Sequence, residues 1–79
     1  MDLMTARLEL HGINTVGDVD RLQRALLDVP GVLEASVDFE SLQGYVIYDA
    51  DRVSIGEIDE TAAFLGYSAS PLWVQHGAI

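Results

Sequence analysis

Residues 5–32, TARLELHGINTVGDVDRLQRALLDVPGV, decide the fold, because the spacing of their apolar residues changes once, at a glycine-bounded loop. From Thr5 to His11 the chain alternates: Ala6, Leu8 and Leu10 on one side, Arg7, Glu9 and His11 on the other. A period of two is that of a strand with one buried face. Gly12 to Gly17 reads as a loop, since its two glycines and Asn14 tolerate positive φ. Asp18 is expected to cap a helix, where a carboxylate accepts free amide hydrogens and meets the positive end of the dipole. Val19, Leu22, Ala25, Leu26 and Val29 then recur at helical spacing. Pro30-Gly31 stops that helix.

Downstream, the same alternation of strand and helix signals is repeated. Val32 to Glu40 reads as a strand with Ala35, Val37 and Phe39 on one face. Ser41-Leu42 makes the turn, and Gln43 to Tyr48 returns as the second arm of a hairpin. Asp49 to Arg52 is a loop. Ser54 followed three residues later by Glu57 is a capping box, ahead of a helix whose apolar face is Ile55, Ile58, Ala62 and Leu65. Gly66 ends it. Tyr67 to about Val74 is a last strand, which Pro71 assigns to an edge or breaks. His76-Gly77-Ala78-Ile79 is expected to fray. The order is βαββαβ. Two right-handed strand-helix-strand units give an α+β, ferredoxin-like sandwich, a four-stranded antiparallel sheet with two helices on one face.

At 79 residues the chain is expected to form a single domain over 1–79. Thirteen acids oppose four bases, all arginine, for a formal net charge of −9. That balance excludes nucleic acid and anionic membrane as natural partners and favours a basic protein surface or metal ions. With no cysteine, stability rests on the core alone, and a cytoplasmic location is expected. No apolar run approaches the ~20 residues of a membrane span. Met1 to Arg7 reads as no secretion signal. No nucleophile-base pair, phosphate-binding glycine loop or zinc-protease helix is present, so no catalytic residue is assigned and no enzyme is expected.

Gly12-Ile13-Asn14-Thr15-Val16-Gly17-Asp18, the Leu22/Ala25/Leu26 helix, Pro30-Gly31-Val32 and Leu65-Gly66-Tyr67 together resemble the heavy-metal-associated domain of copper chaperones and metal pumps. The resemblance runs from about Leu8 to Ser70. It implies a ferredoxin-like fold and a role in metal homeostasis or transport. That family opens its first helix with Gly-Met-Thr-Cys-x-x-Cys; here the two cysteine positions fall on Thr15 and Asp18, and the methionine on Ile13. A hydroxyl and a carboxylate are not ligands for soft Cu(I), which takes sulfur. No cofactor is therefore expected on the thiolate pattern.

Two functional readings follow. In the first, the chain is a non-enzymatic binding module that has lost thiolate Cu(I) ligation and acts by protein contact. Its partner is a basic protein surface or a metal-transport protein. In the second, it carries or senses a borderline or hard divalent ion through Asp18 with His11 or Thr15. A site pairing His11 with His76 beside Asp18 is a variant of the second. For contact residues, the resemblance implies that Tyr67 lies near the metal loop. Trp73, in Pro71-Leu72-Trp73-Val74, is expected either to offer an edge for a partner or a homodimer, or to cover the open face of the sheet.

Overall fold

Alternation in the first strand builds the centre of the sheet. The structure, a computed structural model, describes residues 1–78. Its elements are β1 (Leu3–His11), α1 (Val16–Leu27), β2 (Val32–Asp38), β3 (Gln43–Asp49), α2 (Ile55–Phe64) and β4 (Ser68–His76). One four-stranded sheet runs β2-β3-β1-β4, with every neighbouring pair antiparallel. Ala6, Leu8 and Leu10 of β1 are buried against Leu22 and Leu26 of α1 and Ile58 and Ala62 of α2, in one core. Val46 and Tyr48 of β3 complete it. The ferredoxin-like βαββαβ layout is thus the one that the apolar spacing predicts.

Two irregularities adjust which side chains face that core. Leu33 is the extra residue where the β2–β3 register shifts. The bulge lets Val32 and Ala35 both point inward although they stand an odd number apart. Leu72 is the extra residue where the β1–β4 register shifts, next to Pro71. β4 is an edge strand, which is where proline is tolerated.

Two strand ends and one helix cap here differ from the sequence expectation. β2 stops at Asp38, so Phe39 is 42% exposed in the turn rather than inward-facing. The cause is local: Asp38 Oδ2 accepts the Ser41 hydroxyl at 2.7 Å and the Ser41 amide at 3.3 Å, bending the chain early. At the helix start, Ser54 Oγ accepts the Glu57 amide, but Glu57 Oε1 meets the Ser54 hydroxyl instead of the backbone, so only half of the capping box forms. Last, β4 continues to His76. The Gly77 amide donates to Leu3 O at 2.7 Å, and the buried Thr5 hydroxyl donates to Gly77 O at 2.7 Å. His76 and Gly77 are therefore tied down instead of frayed; Ile79 lies outside the described residues.

At the C-terminal end of α2 the expectation holds. Gly66 takes φ +91°, its amide donates to Ala63 O, and the Tyr67 amide donates to Ala62 O. That pair of bonds is a Schellman motif, and it fixes where Phe64, Leu65 and Tyr67 sit.

Candidate functional site

The loop between β1 and α1 begins at Gly12, whose φ is +92°. A Cβ there would lie 3.0 Å from Gly66 O and 3.4 Å from Tyr67 Cδ1, so glycine is what allows the β1–α1 and α2–β4 loops to touch. Helix α1 is capped by Thr15, not by Asp18. Thr15 has extended backbone angles, and its Oγ1 accepts the Asp18 amide at 3.1 Å. Asp18 Oδ2 in return accepts the Thr15 amide at 3.0 Å and the Asn14 amide at 2.9 Å. Threonine followed three residues later by an acid is a reciprocal cap, and it moves the helix start forward to Val16. The signal for it in the sequence is Thr15-Val16-Gly17-Asp18, a hydroxyl residue followed three residues later by an acid.

The other carboxylate oxygen is also engaged. Asp18 Oδ1 accepts the Tyr67 hydroxyl at 2.6 Å. Arg21 Nη1 stands 3.6 Å from the same oxygen and donates to the Tyr67 hydroxyl at 3.1 Å. Asp18 is 16% exposed while Arg21, at the rim, is 62% exposed. The Tyr67 hydroxyl first, and then the Asn14 and Thr15 amides, hold the Asp18 carboxyl down to about 2. The same bond pushes the Tyr67 phenol above its ordinary value. Asp18 is therefore a fixed anion at the head of α1, with both oxygens satisfied by the protein itself.

His11 lies outside this arrangement. It is exposed, with Nε2 3.5 Å from Glu9 Oε1. Among the described residues, no three His, Cys, Asp or Glu side chains group as metal ligands. His76 is far from His11. In the β1–β4 register His76 faces Met4 and His11 faces Ser68, so the two sit seven residues apart along β1, roughly 24 Å. The His11–His76 variant of a metal site is overturned by this antiparallel register; His76 instead meets Asp2, Nε2 to Oδ1 at 3.1 Å. With no thiolate anywhere, the residues at this loop do not fit Cu(I).

Trp73 stands directly across from Arg7, and Arg7 across from Tyr45 on its other side. This row lies on the sheet face away from the helices, and Trp73 is 41% exposed there. Tyr45 donates its hydroxyl to Glu34 Oε1 at 2.7 Å. Among the described residues, no helix is long and apolar enough to cross a membrane.

No family model matches the chain, and no curated protein matches it. Solved structures do. Oxidized MerP from Ralstonia metallidurans is 25% identical, with a TM-score of 0.86 over 90% of this chain and 99% of that one. The N-terminal domain of PacS from Synechocystis is 28% identical, with a TM-score of 0.75 over 87% of this chain and 97% of that one. The N-terminal domain of a potential copper-translocating P-type ATPase from Bacillus subtilis, in its Cu(I)-loaded state, has a TM-score of 0.86 at 24% identity, over 95% and 92%. At that identity the last shares the fold alone.

Proposed function

We propose that this chain, a heavy-metal-associated domain in its fold with no Cys-x-x-Cys pair, works in metal homeostasis or transport by protein contact instead of thiolate capture. The observation that carries the reading is the state of Asp18. It occupies one of the two positions where the family places its metal-binding sulfurs, and Thr15 occupies the other. Both are spent on the helix cap and on Tyr67. The Asn14 and Thr15 amides and the Thr15 hydroxyl engage Asp18 within the loop itself.

On this reading the chain is one module over 1–79, cytoplasmic and non-enzymatic. Its partner is a basic protein surface, such as that of a metal-transport protein, with Trp73 as a contact residue; Tyr67, expected to share that role, is 7% exposed and supports the loop from within the core. The charge of −9 would speed encounter with a basic partner and orient it.

The test is titration calorimetry against Cu⁺, Zn²⁺, Ni²⁺, Co²⁺ and Mn²⁺. The reading expects no stoichiometric binding of any of them. One equivalent of a divalent ion, with resonance shifts at His11, Thr15 and Asp18, would replace it with the carrier or sensor reading.

A further inference from the structure

The geometry points to the groove between α1 and α2 as a docking site for a basic, leucine-type segment of a protein partner. This rests on the protein-contact reading above and adds a second surface, on the helix side, to Trp73 on the opposite face of the sheet. The groove has a volume of about 390 Å³ and is lined by Ala25, Thr61, Phe64 and Leu65, with Glu57 and Glu60 on its rim. Phe64 is 91% exposed, an unusual state for a large aromatic ring. It is not on a loose end. The Schellman motif that follows fixes the last turn of α2, so the ring is presented by rigid backbone.

The field over the groove is negative from two sources. Glu57 and Glu60 are both exposed. In addition, α2 has no basic residue in its last turn, so the negative end of its dipole is left uncompensated beside Phe64. The arginines of α1 do not cancel this: Arg21 is engaged by Asp18 and Tyr67, and Arg24 by Asp20 at 3.2 Å. An occupant must therefore bring apolar side chains for Phe64 and Leu65 and cations for the glutamates and the ring face. A second copy of this chain brings the wrong sign. An anionic membrane does too.

The experiment maps amide shifts of the isotope-labelled full chain on titration with a short amphipathic peptide of leucine, lysine and arginine. A peptide with glutamate in place of the cations is the control. The expected result is saturable shifts at Ala25, Thr61, Phe64 and Leu65 with the basic peptide only. Glu57→Gln with Glu60→Gln should weaken it about five- to tenfold. Phe64→Ser, at an exposed position that leaves the core intact, should abolish the shifts at Thr61 and Leu65. Shifts scattered over the acidic surface with a silent groove overturn this site while leaving protein contact standing. Equal shifts with both peptides, no shift at all, or self-association through the same residues also overturn it. The wider reading fails separately, through stoichiometric metal in the calorimeter.

Discussion

Asp18 concentrates the chemistry of this molecule in one carboxylate. Its folded pKa of about 2 lies below the ordinary 3.8, so it stabilises the fold fully above about pH 4. That contribution is lost as pH falls through about 2. Asp18→Asn should therefore flatten the acid limb of a urea-midpoint profile between about pH 4 and 2. Part of the slope remains, because the Ser41 hydroxyl holds Asp38 low and the Asp2 amide holds Asp49 low. Tyr67→Phe removes the largest influence on Asp18. Its carboxyl carbon, followed by NMR, should then titrate above about 2; an unmoved midpoint would mean that the amides alone set it. Thr15→Ala should lower stability by about 1 kcal/mol in chemical denaturation, the usual effect of losing a threonine cap. The cap itself was legible in Thr15-x-x-Asp18. The resemblance implied that Tyr67 lies near this loop, and it does; its bond to Asp18 and the share Arg21 takes in it were not legible, because nothing local in sequence encodes a contact across 49 residues.

At the scale of elements, the β2–β3 turn carries the strain. Leu42 sits at φ 54°, a conformation that disfavours a branched side chain. Leu42→Asn should raise stability by up to about 1 kcal/mol, seen as a higher melting temperature. A lower one would show that the leucine side chain packs usefully there. Gly44 is the opposite case. A Cβ on it would lie 2.5 Å from Ser36 O on the neighbouring strand, so Gly44→Ala should force β2 and β3 apart. A loss of about 1–3 kcal/mol is expected on thermal unfolding. Strand and helix order was readable from apolar spacing. The bulges at Leu33 and Leu72 and the pinned Gly77 were not, since each depends on what the adjacent strand offers.

For the whole molecule, sheet and helices share one core, and a charge placed in it has nowhere to pair. Leu26, 1% exposed, is at its centre. Leu26→Asp should cost several kcal/mol and remove the native circular dichroism spectrum. Outside the core, the net charge of −9 makes association with a basic partner weaken as salt rises, which binding at several ionic strengths would show. The scaffold is the fold that MerP and the PacS N-terminal domain share, and the two positions that resemble the family's thiolate sites hold Thr15 and Asp18. Titration of Cu(I) against a competing chelator, run on the natural chain and on a Thr15→Cys, Asp18→Cys double variant, measures this most directly. The natural chain should retain no copper, and the double variant should take up one equivalent. A natural chain that holds one equivalent tightly would contradict it.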